Sequence, residues 1–392
     1  MIKKIKLMEN TFIDEINTKR SLISFIKSAK KLSMGKEVLN FENNFSKKLK
    51  HKYTTMVNSG SSANLVLIQS LKNLKILKKN DNVAISSLTW STSVMPLIQM
   101  NLNPIPIDIN LNTFNCSSKI FSKALKKYKI KAFFITNAMG FSDDIDKIKR
   151  LCIKNKIVLI EDNCESLNSE YKNKKLGTFG IASTHSFFVG HHLSSIEGGT
   201  ISTSSKKIDN MLKLVRAHGW SRNLDDKTKK KYYKKFKTLE FYKSYTFYDL
   251  AFNVRPSEIN GFLASNQLKY LGKITKSREE NFFNIYKNYI KNDDFIHYKI
   301  KDMNVISNFA FPIICKNKLI HKKYISKFKR LNIEIRPFIS GNIVNQPFFK
   351  KYVKKKFKLP NAEIIHNLSF YCPNHNDLIK KDIARIIKAI KS

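Results

Sequence analysis

Cysteine is scarce, and it is placed for neither of its structural uses. The five thiols, Cys116, Cys152, Cys164, Cys315 and Cys372, are odd in number, far apart and never in a CxxC pair. A disulfide framework is therefore excluded, and no zinc site is expected. Reduced, mostly buried thiols are the expected state. Glycine (12) and proline (9) are also few, and no Pro/Gly/Ser-rich linker or internal repeat breaks the chain. Long apolar runs are missing: none approaches the roughly 20 residues of a membrane-spanning helix, so no membrane association is expected. The first residues, MIKKIKLMENTF, lack an apolar stretch followed by a small-residue cleavage site, so a cytoplasmic location is expected.

Acidic residues are the strongest deficit, 30 against 72 basic ones, for a net charge of +42. Such an excess raises nucleic-acid binding as a function. Two features argue against it. Only nine of the basic residues are Arg, the side chain suited to bidentate phosphate and base contacts. The lysines are also spread along the whole chain rather than gathered in a footprint. The densest stretch, DDKTKKKYYKKFK at 225–237, reads as a solvated loop or helix face. No nucleic-acid partner is expected, although a basic surface would attract a small, doubly charged phosphate ester.

Between residues 54 and 205 the pattern alternates. Short apolar runs at 54–60, 83–90, 103–109, 132–140, 157–162 and 184–188 read as buried strands. Stretches with helical spacing, such as SSANLVLIQSLKNL and IDKIKRLCIKN, lie between some of them. This predicts an α/β fold with a mainly parallel sheet, helices on both faces, and ligands at the carboxyl ends of the strands. The last third, from about 265, mixes helices and strands and should form a smaller C-terminal α/β lobe.

Three segments place chemistry at those strand ends. In NSGSSANL (58–65) a strand ends, a glycine turns and two serines open a helix; backbone N–H groups and small hydroxyls there suit a phosphate, although serine before a helix also serves simply as a cap. In VLIEDNCESLNS (158–169) an apolar strand delivers Glu161 and Asp162, with Glu165 beyond. In STHSFFVGHHLSSIEGGTIST (183–203) a strand delivers Ser186 and a loop carries His191 and His192. Adjacent histidines do not converge on one ion, so no metal is assigned. Their position at a strand's carboxyl end favours chemistry.

These segments, with MGKEVLNFENNFSKKL (34–49), RAHGWSRN (216–223), FNVRPSEINGFLASNQL (252–268) and IEIRPFISGNIVNQP (333–347), resemble the sugar aminotransferase family of fold-type-I pyridoxal-phosphate enzymes over almost the whole chain. The resemblance implies an aspartate-aminotransferase-like architecture. Residues 1–264 would carry the N-terminal segment and the large cofactor-binding domain, and 265–392 the small domain. Family members carry a cofactor-binding lysine five residues after the serine of the SF motif. Five residues after Ser186 this chain has His191. A histidine cannot form that covalent link but can act as an acid or base near neutral pH.

The substitution resembles the 3-dehydratase branch of the family, which uses pyridoxamine phosphate on nucleotide-linked 4-keto-6-deoxy sugars. In its HHxSxxEGG run and its length the chain most resembles the members of that branch that act on GDP-4-keto-6-deoxy-D-mannose, and the resemblance implies L-glutamate as the donor that restores the amine. A nucleotide-sugar 4-aminotransferase is the alternative within the fold. A CDP-sugar 3-dehydratase-like enzyme is a second alternative, but that branch adds an iron–sulfur cluster, and such a cluster needs four neighbouring thiolates. By the resemblance, Gly60, Ser61 and Ser186 hold the cofactor phosphate, Trp90 stacks on its ring, Asp162 pairs with the ring nitrogen and Glu165 lies near the ring hydroxyl. Asn253 reaches the phosphate of a neighbouring subunit's cofactor, which implies a homodimer with shared sites. Arg216, Arg222, Arg255 and Arg336 are candidates for the substrate's phosphates, with Arg222 and Arg336 taken forward.

Overall fold

The computed structural model describes residues 3–391. In chain order its first nine strands are β1 (Tyr53–Val57), β2 (Asn82–Ser86), β3 (Asn103–Ile107), β4 (Ala132–Thr136), β5 (Val158–Asp162), β6 (Glu170–Tyr171), β7 (Lys174–Lys175), β8 (Ala182–Ser186) and β9 (Gly199–Thr203). Seven of them form the central sheet, ordered β1-β9-β8-β5-β4-β2-β3. From β3 to β8 the neighbours are parallel, and β9 runs antiparallel to both β8 and β1. The expected mainly parallel sheet is therefore what the chain builds.

The side-chain alternation of a strand sorts the core onto two faces. Phe134 and Ile160 pack on one face with Val66 and Leu67 of the Gly60–Asn73 helix and Leu212 of the Lys206–Arg216 helix. Phe133 and Leu159 pack on the other with Phe121, Ile145 and Ile148 of the Ser118–Leu125 and Ile145–Lys154 helices. All five residues of β4 are buried, as a strand covered on both faces requires. The lysine-rich stretch is a helix, Asp226–Lys235, capped by Asp225 and burying no residue, so its charge is a solvated face.

The C-terminal part adds β10 (Met303–Val305), which pairs with the small β6–β7 hairpin, and an antiparallel sheet of β11 (Phe311–Ile314), β13 (Ser369–Cys372) and β12 (Arg336–Pro337). Its core is aromatic, including Phe282, Tyr289, Tyr298, Phe311 and Tyr324, and it draws in Ile5, Phe114 and Phe141 from earlier in the chain. This part also touches the carboxyl edge of the central sheet: Ile343 N donates to the Ser87 carbonyl at 3.0 Å. Residues from the ends of β2, β4, β5 and β8 thus face a lobe built from the last third of the sequence. Among the described residues no helix is long and apolar enough to cross a membrane.

Candidate active site

Asp162 ends β5, is buried, and is fixed by three donors. Asn64 Nδ2 (3.1 Å) and Ser93 Oγ (2.7 Å) donate to its Oδ2, and the Cys164 N–H donates to Oδ1 at 3.1 Å. Its neighbour Glu161 points to the opposite face. There it accepts the backbone N–H groups of Gly177, Phe179 and Gly180, each at 2.7 Å, and Asn137 Nδ2 at 3.1 Å. Glu161 is therefore an organiser of the 177–180 turn, and Asp162 is the acid at the sheet's carboxyl edge. Glu165 is buried beside it, accepting the Met139 N–H at 2.8 Å. Burial raises the Glu165 pKa to about 8, with the Asp162 charge pushing the same way. Met139 holds φ at 54°, a costly conformation for a non-glycine residue and one that the bond to Glu165 helps to hold.

The turn after β1 is built for close approach. Ser59 caps the Gly60–Asn73 helix by accepting the Ser62 N–H at 3.0 Å. A Cβ on Gly60 would lie 2.6 Å from the Ser186 Cβ, and one on Gly199 would lie 2.4 Å from the Ser59 carbonyl oxygen. Only glycine lets the helix N-terminus come against the end of β8. Ser61 is exposed on the first turn of that helix, and Ser186 is half-buried. Trp90 is 57 % exposed and directly precedes the short turn that carries Ser93 to Asp162.

The loop after β8 brings His191 back to this edge. Its N–H bonds to the Phe188 carbonyl (2.9 Å), while the Ser195 N–H bonds to Phe187 O (3.0 Å) and the Phe187 N–H to Gly198 O (2.8 Å). The His191 ring packs against Phe309, centroids 5.3 Å apart. Burial lowers its pKa to about 4; the Asp162 charge and the Cys164 carbonyl oppose that shift and Arg278 adds to it. The imidazole is thus neutral at pH 7 and close enough to Asp162 to feel its charge. His192 turns away and is buried, its Nε2 on the Ser307 carbonyl at 2.8 Å.

The arginines divide. Arg216 is buried in an ion pair with Glu42 and also donates to the Met56 carbonyl, so it is structural and leaves the list of phosphate candidates. Arg222 is exposed, lies 4.1 Å from the Trp220 ring and donates to the Ser244 carbonyl. Arg336 is exposed, pairs with Glu334 at 2.9 Å and is in register with Tyr371 of the C-terminal sheet. Arg255 is exposed and donates to Asn253 Oδ1 at 3.0 Å, and Asn253 is itself exposed.

Four residues escaped the sequence reading: Asn64, Ser93, Arg278 and Phe309. Asn64 lies in the NSGSSANL motif, and a buried polar residue on an otherwise apolar helix face was a legible signal. The others join the site through contacts between segments apart in the chain: Ser93 by its bond to Asp162, Arg278 by its bond to the His191 carbonyl and Phe309 by its ring against His191. Two surface grooves, of about 530 and 650 Å³, are lined by lysines among other residues, and the first lies at the opposite, amino-terminal edge of the sheet.

Residues 14–391 match the DegT/DnrJ/EryC1/StrS aminotransferase family. The chain belongs to that family. Among curated relatives of this DegT/DnrJ/EryC1/StrS chain, the GDP-4-keto-6-deoxy-D-mannose 3-dehydratase of Escherichia coli O55:H7 is 32% identical, covering 94% of this chain and 95% of the relative. The enzyme of the same name from Yersinia pseudotuberculosis is 30% identical, covering 92% of each. Among solved structures, the E. coli GDP-4-keto-6-deoxy-D-mannose-3-dehydratase with bound hydrated PLP superposes with a TM-score of 0.89 at 30% identity, covering 100% of both chains. A mutant GDP-4-keto-6-deoxymannose-3-dehydratase with bound GDP-perosamine superposes with a TM-score of 0.90 at 29% identity, covering 99% of this chain and 100% of that one.

Proposed function

We propose that this chain is a 3-dehydratase that uses pyridoxal/pyridoxamine phosphate to remove the C3 hydroxyl of GDP-4-keto-6-deoxy-D-mannose. The observation that carries the reading is His191. It stands where the family's cofactor lysine is expected, beside the buried Asp162, on a loop (187–198) that contains no lysine. The residues fit a flat, phosphate-bearing cofactor. A carboxylate lies at the sheet's carboxyl edge, a glycine-serine helix N-terminus abuts Ser186, and His191 Nδ1 and Asn64 Oδ1 are buried polar atoms without a hydrogen-bond partner in the chain. When bound, the cofactor supplies an amine for the C4 ketone and an electron sink for the C3–oxygen cleavage.

Each residue then has one task. Gly60, Ser61 and Ser186 hold the phosphate through backbone and hydroxyl groups. Asp162, held from behind by Asn64 and Ser93, keeps the ring nitrogen protonated. Trp90 covers the ring face, and Glu165 lies at the ring hydroxyl. His191, neutral at pH 7, takes the proton from the carbon bearing the cofactor's amine and delivers one to the departing C3 oxygen. Arg222 and Arg336 serve the substrate's phosphates. The balanced outcome is one keto-sugar and one L-glutamate giving one 3,6-dideoxy keto-sugar, one 2-oxoglutarate and one ammonium.

The working unit is read as a homodimer in which Asn253 completes the site of the other subunit. Asn253 is exposed, and so are the nearby apolar side chains Phe241, Tyr245 and Leu250, which supports a second copy covering this segment. Residues 1–264 would form the cofactor-binding part and 265–392 the small domain. The test is incubation with L-glutamate, pyridoxal phosphate and GDP-4-keto-6-deoxy-D-mannose, with products read by mass. A recovered keto-sugar lighter by one oxygen supports the reading; an amino sugar that keeps its C3 oxygen replaces it with a 4-aminotransferase.

A further inference from the structure

His191 is braced from behind by a residue that no part of the proposed chemistry uses. We propose that Arg278, acting through the segment Ser307–Phe309, is the positioning residue that sets the place and tilt of the His191 ring; this rests on His191 being the proton-transfer group.

Arg278 lies on the Leu271–Tyr289 helix and is 3 % exposed. Among the described residues it makes no ion pair within 4.0 Å. Its guanidinium is spent on carbonyl oxygens instead. Nη1 donates to Asn308 (3.1 Å), Phe309 (2.9 Å) and Asn374, and Nη2 reaches the His191 carbonyl at 3.4 Å. A buried guanidinium without a carboxylate is costly, so its retention needs a return from the geometry it holds. Asn374 Nδ2 locks the arrangement by donating to the Arg278 carbonyl (3.1 Å) and to Asn308 Oδ1 (2.9 Å).

The same segment then touches both histidines. The Ser307 carbonyl takes His192 Nε2 at 2.8 Å, and the Phe309 ring meets the His191 ring. Tyr371 backs the Phe309 ring, centroids 5.6 Å apart. The contacts close on themselves: Arg278 holds the His191 backbone and the Phe309 backbone, and the Phe309 ring holds the imidazole face. Two fixed points determine where a ring can swing. Nη1 serves the Asn308, Phe309 and Asn374 carbonyls and Nη2 the His191 carbonyl, so the fork ties two points together; an ammonium, a point donor on a flexible stem, has one nitrogen for both. A misplacement of a reacting group by about 1 Å costs on the order of 100-fold in rate. The charged and titratable groups facing His191 are Asp162, Arg278 and His192, and the Arg278 charge also disfavours a proton on the ring.

The test uses purified holoenzyme with Arg278→Lys and, separately, Phe309→Leu. Two quantities are read: steady-state dehydration of the GDP-linked keto-sugar, and the NMR resonance of the His191 Cε1 carbon, assigned by its loss in His191→Asn. Each variant should lower kcat roughly 10- to 100-fold while KM for the sugar stays within about 3-fold, since the displaced group acts in the transition state. Each should also shift the His191 resonance. A merely structural role for Arg278 leaves both unchanged in protein that folds. If Arg278→Lys does not fold, Phe309→Leu decides. A kcat within about 2-fold of the unmodified enzyme overturns the proposal. If the unmodified enzyme does not dehydrate the sugar, the functional reading fails, and the NMR comparison judges the positioning role alone: an unmoved His191 resonance in the folded variants overturns it, and a shifted one supports it.

Discussion

Replacing His191 by asparagine isolates the proton-transfer step from binding. The asparagine amide is smaller than imidazole, and the loop is held by backbone bonds that the change leaves intact, His191 N to Phe188 O and Ser195 N to Phe187 O. Gly60, Ser186 and Asp162, the proposed cofactor contacts, lie on other elements or are fixed by their own partners. Cofactor and sugar binding should therefore survive. The rate should not, because an amide offers no usable base near pH 7. Loss of a general base costs about 10²–10⁴-fold, or roughly 2.7–5.4 kcal/mol of barrier, with the upper end expected if one imidazole serves both proton transfers. The assay is single-turnover mixing of the pyridoxamine-phosphate form with GDP-4-keto-6-deoxy-D-mannose, followed by absorbance and product mass. With the His191 pKa lowered to about 4, the unmodified enzyme should show no loss of active base between pH 8 and pH 6, and an acid limb only as the pH approaches that value. His192→Asn is the control. It loses the bond to the Ser307 carbonyl, about 1 kcal/mol of stability, and keeps more activity. A larger activity loss in His192→Asn than in His191→Asn, or a His191→Asn rate within about 3-fold of the unmodified enzyme, refutes the assignment.

Three further outcomes are expected. Borohydride treatment of the holoenzyme should leave no cofactor attached to a lysine, and recovery of a cofactor–lysine peptide would displace His191 from the lysine position. Asp162→Asn should keep the fold, because Asn64 and Ser93 can rearrange around an amide, yet lose both the glutamate and the sugar half-reactions; near-normal glutamate turnover would remove Asp162 from the site. The third concerns acid stability. Burial lowers the His185 pKa to about 3, and neither ring nitrogen has a hydrogen-bond partner in the chain. The unfolded state, with an ordinary pKa near 6.5, then binds the extra proton first, so stability is fully present above that value and falls as the pH drops toward 3. By pH 5 this one group removes about 2 kcal/mol. His185→Leu, which keeps an apolar neighbour for Phe45, should shrink the fall in urea midpoint between pH 7 and pH 5. An undiminished fall would show that other groups carry the acid sensitivity.

The sheet and its carboxyl edge were legible in the chain alone. Short apolar runs such as AFFI and IVLI cannot sit at a surface, and their alternation with helices leaves few arrangements but a covered parallel sheet. That arrangement places Asp162, Ser186 and the turn at Gly60 along one edge, because parallel strands all end there. That His191 stands five residues after Ser186, where the family resemblance calls for a lysine, was equally visible. Other questions had no local answer. Strand alternation says that Glu161 and Asp162 face opposite ways, but only the packed structure decides which is spent on the backbone of residues 177–180 and which remains at the edge. RAHGWSRN gives no sign that Arg216 is buried against Glu42, 174 residues away, while Arg222 stays exposed. The bracing of His191 by Arg278 and Phe309 is hidden for the same reason. Backbone hydrogen bonding and side-chain periodicity act over a few residues and are written in the local pattern, whereas desolvation and long-range contact depend on which distant segments the fold brings together.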